Sequence, residues 1–111
     1  MHSYKILIAS TLLLPLIFAA LAIADEPAPI DFQNHHFTPQ VLNVPAGQPF
    51  QLKVTNSSNE TIEFESFKLN RETAMTPGQS IIVRLPALSP GAYDFYDDFH
   101  QDVPQGSIVA K

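Results

Sequence analysis

Phe50-Gln51-Leu52-Lys53-Val54-Thr55-Asn56 is the stretch on which the fold turns. Phe50, Leu52 and Val54 are apolar, and polar Gln51, Lys53 and Thr55 separate them. Side chains alternate faces along a strand, so this order makes one apolar face and one wet face. Working outward, the same period returns. Leu42 and Val44 flank Asn43, Ile62 and Phe64 interleave with Glu63 and Glu65, and Tyr93 and Phe95 flank Asp94. Ile81 to Leu85 is apolar except for Arg84. Turn residues separate the runs: Pro45-Ala46-Gly47, Asn56 to Asn59, Pro77-Gly78 and Ser89-Pro90-Gly91. One-sided alternation of this kind predicts antiparallel sheets packed face to face. The expected fold class is all-β, a Greek-key β-sandwich of about seven short strands spanning residues 30–111. Phe67 to Met75 is the one stretch that could form a short helical turn.

The first 24 residues read as an address. Lys5 gives a positive start, Ile6 to Ala24 is apolar apart from Ser10, Thr11 and Pro15, and Ala22-Ile23-Ala24 fits a small-x-small cleavage site. Residues 1–24 are therefore expected to be a signal peptide, and 25–29, with two prolines, a linker. The rival reading is a retained anchor, since about 20 apolar residues can cross a bilayer. No later stretch is long enough to span, so the mature chain is expected to have no membrane span. The expected location is the periplasm.

The chain carries a formal charge of −5, and every carboxylate lies beyond Ala24. An acidic surface repels phosphate backbones, which argues against nucleic-acid binding. Cysteine is absent, so disulfides are excluded. A small exported domain without disulfides must rely on packing, with a metal as a candidate addition. No Gly-rich phosphate loop or nucleophile-elbow serine is present, so the chain is not expected to be an enzyme.

The order of three pieces resembles the cupredoxin family. They are Phe37-Thr38-Pro39-Gln40-Val41-Leu42-Asn43-Val44-Pro45-Ala46-Gly47, Phe50 to Asn56, and Gly91-Ala92-Tyr93-Asp94-Phe95-Tyr96. A closer resemblance is to the cupredoxin domain of periplasmic EfeO-type iron-uptake proteins. It rests on Glu63-Phe64-Glu65-Ser66, on Leu69 followed by Arg71-Glu72, and on Phe99-His100-Gln101-Asp102-Val103-Pro104-Gln105-Gly106. The resemblance implies metal handling beside an iron-uptake system, with a membrane permease or another periplasmic component as partner. Fold alone does not fix function.

A blue copper centre needs a thiolate, two imidazoles and usually a weak axial thioether. Carried over from the family, Ile62 falls at the first histidine position, Asp97 at the cysteine, His100 at the second histidine, and Gln105 near the methionine. One ligand of four remains, so no type 1 copper is expected. What remains is Asp97-Asp98-Phe99-His100-Gln101-Asp102, with Glu63, Glu65 and Glu72 from the neighbouring strand and loop. Carboxylates with one imidazole suit a divalent ion such as iron, copper(II) or zinc. The candidate metal ligands are His100, Asp102, Glu65, Glu72, Asp97, Glu63 and His35, with Asp98 and His36 beside them. Met75 is a lone thioether on an expected loop. The bland alternative is that these carboxylates only face water. The rival function is a metal-free periplasmic protein-binding module, whose acidic end gives on-rate and specificity.

Overall fold

The computed structural model of the chain describes residue 3, residues 19–21 and residues 26–111. Most of the span read as a signal peptide lies outside the described residues. No helix among the described residues is long and apolar enough to cross a membrane.

Ten strands are described: β1 (Ala19–Leu21), β2 (Ala28–Gln33), β3 (His36–Thr38), β4 (Val41–Val44), β5 (Phe50–Asn56), β6 (Ile62–Ser66), β7 (Arg71–Met75), β8 (Ser80–Leu85), β9 (Gly91–Asp97) and β10 (Gly106–Ala110). They form two sheets, ordered β1-β4-β10-β9-β6-β7 and β3-β2-β5-β8. β10 runs parallel to β4 and antiparallel to β9, and β9 runs antiparallel to β6. In the other sheet β5 lies parallel to β2 and antiparallel to β8. Strands distant in sequence therefore lie side by side within each sheet, as Greek-key connections require.

The alternation read in β5 holds: Phe50, Leu52 and Val54 are buried, whereas Lys53 is exposed. The inward rows of both sheets meet in one core that includes Leu52, Val54, Ile62, Phe64, Phe95 and Ile108. Aromatic rings form its centre. The Phe37 centroid lies 4.9 Å from that of Phe32 and 5.1 Å from that of Phe95, nearly perpendicular to the latter. Edge-to-face packing of this kind aligns positive ring edges with negative faces.

Three expectations need correction. Phe67 to Met75 contains no helical turn: a tight turn follows β6, with Asn70 N–H donating to Phe67 O at 3.1 Å, and Arg71–Met75 is a strand. Asn70 supplies the left-handed conformation there, at φ 54°, which asparagine tolerates better than most residues. Met75 is not a loop thioether either, because it ends β7 fully buried in the core. Finally, Ala28 and Pro29 belong to β2 rather than to a linker. β3 pairs only with Asp31 to Gln33, so the sheet is open on that side of Pro29, where a missing N–H does least harm.

Candidate metal centre

Strand β6 carries Ile62, Phe64 and Ser66 into the core, which turns Glu63 and Glu65 outward. In the β6–β7 hairpin Glu65 stands directly opposite Glu72, and Glu63 opposite Ala74. The period of two and the hairpin register together place three carboxylates on one outer sheet face. One oxygen from each of Glu63, Glu65 and Glu72 lies within 4.8 Å of the others. Among the described residues no Lys or Arg forms an ion pair with them. The nearest cations in sequence are turned elsewhere: Lys68 Nζ donates to Ala92 O at 3.0 Å, and Arg71 donates to the carbonyls of Leu69, Asn70 and Arg84.

Crowded like charges change the acid strength of the set. Partial burial, a hydrogen bond shared with Glu72, and the charges of Glu72, Asp98 and Glu65 push Glu63 up to about 7. A proton held between two carboxylates relieves the repulsion, as a bound cation would. Tyr96 is the register partner of Glu65 on β9. Its hydroxyl is also pushed up, first by partial burial and then by the charge of Glu65. Tyr96 lines the edge of this face and was not among the residues singled out from sequence. Its position follows only from the β6–β9 register, which crosses more than 30 residues of chain.

His100 and its neighbours occupy a different place, at the rim of the sandwich. Asp97 ends β9 with its side chain inward and is 1% exposed. Its Oδ1 accepts the N–H groups of Glu63 at 2.9 Å and Phe99 at 3.0 Å. Its Oδ2 takes His100 Nδ1 at 2.7 Å. A buried charge needs such partners, because isolation in a low dielectric is costly. At the position where the cysteine was expected to be replaced, a carboxylate therefore ties the loop to the neighbouring strand. On its other side His100 Nε2 lies 3.3 Å from Glu60 Oε2. The hydrogen bond to Asp97 chiefly raises the His100 pKa, against the lowering effect of burial, and the charges of Glu60 and Asp102 add to the rise.

The structure thus divides the sequence-derived candidates. It joins Glu63, Glu65 and Glu72 into one set. It places Asp97 and His100 in a separate pair, with the His35 ring 6.4 Å from that of His100, centroid to centroid. His36 is exposed on β3, where its Nδ1 lies 2.9 Å from Asn34 O. Asp102 is exposed on the loop after β9, and Asp98 accepts from Gln101 Nε2 at 3.1 Å. Glu60 was missed, since a turn residue gives no periodic signal. Its placement depends on Asn56, whose buried amide donates to Glu60 O at 2.8 Å and to Met75 O at 3.1 Å.

A type 1 copper ion does not fit these residues. No thiolate exists in the chain, Ile62 is fully buried in the core, and the Asp97 oxygens are already engaged.

Comparison with known proteins agrees with the geometry. A family described as "Cupredoxin-like domain" matches residues 6–110. An uncharacterized protein of Rickettsia prowazekii is 39% identical over 82 residues, covering 74% of this chain and 66% of the relative. The chain thus spans just under two thirds of that relative's length. Among solved structures, a purple cupredoxin from Nitrosopumilus maritimus superposes with a TM-score of 0.60 at 18% identity, covering 76% of this chain and 99% of the other. Reduced auracyanin from Roseiflexus castenholzii gives 0.63 at 17% identity, with coverages of 79% and 98%. At such identities the likeness establishes the fold alone. With the family matched along nearly the whole sequence and the sandwich built as that family builds it, the chain belongs to the cupredoxin-like domain family.

Proposed function

We propose that this chain is an exported, non-enzymatic metal-handling domain in which Glu63, Glu65 and Glu72 hold a cation for an iron-uptake system. The observation that carries the reading is the convergence of three carboxylate oxygens within 4.8 Å on one sheet face, with no Lys or Arg ion-paired to them among the described residues. An all-oxygen set favours hard or borderline ions such as iron or manganese over copper(I). Placement on an open face leaves coordination positions free, which suits transfer of the ion to a partner. The iron-uptake role and a permease or periplasmic partner draw support from the resemblance of three stretches to EfeO-type domains. The periplasmic setting draws support from the leader pattern in residues 1–24.

Calorimetric titration of the purified protein with iron(II) under anaerobic conditions, and with copper(II) and zinc(II), tests the proposal. Saturable iron binding that disappears in Glu65→Gln with Glu72→Gln is expected. Binding that persists unchanged in that double variant, or no saturable binding of any of the three ions, would refute it.

One observation favours a second reading, as a protein-binding module. The rings of Phe67 and Phe99 are 85% and 51% exposed. Under that reading, reversing the charges of Glu65 and Glu72 abolishes partner capture while metal content stays constant.

A further inference from the structure

The rim of the sandwich carries a second donor set of different chemistry. We propose that His100, Glu60 and His35 form a separate binding site for a borderline divalent cation, with Asp97 as the positioning residue behind His100.

Asp97 is fixed by two backbone N–H groups on Oδ1 and faces His100 Nδ1 with Oδ2 at 2.7 Å. A neutral imidazole that donates from Nδ1 presents its lone pair at Nε2. Histidines that ligate metals are commonly held this way, with the other ring nitrogen donating to a carboxylate. On the open side, His100 Nε2 lies 3.3 Å from Glu60 Oε2; the pair is ionic only when Nε2 is protonated, and a bound ion takes the place of that proton. Two donors bound to one zinc-like ion at about 2.0–2.2 Å each sit roughly 3 Å from one another. The existing spacing therefore needs little change to admit the ion.

The third donor comes from the β2–β3 hairpin. Asn34 and His35 form its two-residue turn, at φ 54° and 60°. That conformation places the exposed His35 side chain over the rim, with its ring edge-on to His100 at 6.4 Å between centroids. A cleft of about 290 Å³ separates this turn from the Ser57–Glu60 turn, and both His35 and Glu60 line it. His35, His100 and Glu60 are not among the donor groups that already lie within 4.8 Å of one another, so binding requires the exposed His35 ring to swing toward the His100–Glu60 pair. Glu60 is itself anchored, since Asn56 Nδ2 holds its carbonyl. Two imidazoles and one carboxylate match zinc(II), iron(II) or copper(II) rather than a hard cation such as magnesium. The site shares no ligand with the Glu63–Glu65–Glu72 face and stands or falls independently of it.

Zinc(II) serves as the probe, because it is diamagnetic. Long-range proton–nitrogen spectra of the full chain, with and without zinc, report each ring nitrogen. We expect the Nε2 resonance of His100 and one ring nitrogen of His35 to move on zinc addition, while His100 Nδ1 keeps its proton. Zinc affinity should fall roughly tenfold or more in both His35→Ala and Glu60→Gln, and should survive in Glu65→Gln with Glu72→Gln. His35 and Glu60 are exposed, so neither substitution removes core packing, and an unchanged thermal midpoint verifies this. Unshifted His100 nitrogens, or zinc affinity unaffected by either single substitution, would overturn the site. Failure of the acidic face would instead show as iron binding indifferent to the Glu65 and Glu72 substitutions.

Discussion

Gly106 shows at the residue scale why the loop after β9 must end as it does. A Cβ added there would lie 2.2 Å from the Phe95 ring, a member of the aromatic core and its register partner on β9. Gly106→Ala is therefore expected to cost about 1–3 kcal/mol through overpacking, measured as a lower urea midpoint with an unchanged slope. Asp97 is the second such residue. Asp97→Ala leaves the N–H groups of Glu63 and Phe99 without their acceptor; both bonds are only partly buried, so the loss is expected near the lower end of about 1–3 kcal/mol. Equilibrium unfolding should register at least one such loss, and a neutral result would show that water replaces the carboxylate. Glu63 is the third. Its pKa lies above the ordinary 4.5, at about 7, so the folded state holds a proton that the unfolded state has lost. That contribution to stability is complete below the ordinary value and disappears as pH rises through about 7. Glu63→Gln is expected to flatten the stability profile between about pH 5 and 7. An unchanged slope in pH-dependent melts would argue against the carboxylate crowding.

At the scale of elements, the strands with clean alternation were the legible ones. β5 and β6 announce themselves because apolar and polar residues alternate in Phe50 to Thr55 and in Ile62 to Glu65, although each strand ends on a buried polar residue, Asn56 and Ser66. β10 does not, because small Gly106 and Ala110 point inward with Ile108 while apolar Val109 faces outward. β2 alternates Ala28, Ile30 and Phe32 inward, but Pro29 masks it as a linker. β7 keeps only Met75 buried among five residues, since it is the edge of its sheet. The acidic set was partly legible for the same reason. Outward Glu63 and Glu65 follow from the period of β6, whereas the facing of Glu65 by Glu72 depends on where the hairpin turns. Asn56 governs the neighbouring turn, with its side-chain oxygen accepting Ser58 N–H at 3.1 Å and its amide serving two carbonyls. Asn56→Ala should cost about 1–3 kcal/mol and detach Glu60 from the rim, seen as faster amide exchange across residues 57–61.

Over the whole molecule, Glu63 and His100, two of the groups with raised pKa values, act in the same direction. Stabilisation from the His100 imidazolium is complete below the ordinary 6.5 and is lost as pH climbs through the raised folded value. With Glu63 behaving likewise, the metal-free protein is expected to melt at a lower temperature at about pH 8 than at about pH 6. Cation binding opposes this trend, because ligands must lose protons to bind a metal. An ion on the acidic face should thus raise the melting temperature more at the higher pH. One small sandwich thus carries two distinct surfaces, an oxygen-only face on β6 and β7 and an imidazole-bearing rim. On the proposed reading the first of these holds a cation. Anomalous X-ray diffraction from crystals soaked in iron(II) under anaerobic conditions tests that claim most directly. An iron peak bonded to oxygens of Glu63, Glu65 and Glu72 is expected; an empty acidic face at saturating iron would refute the assignment.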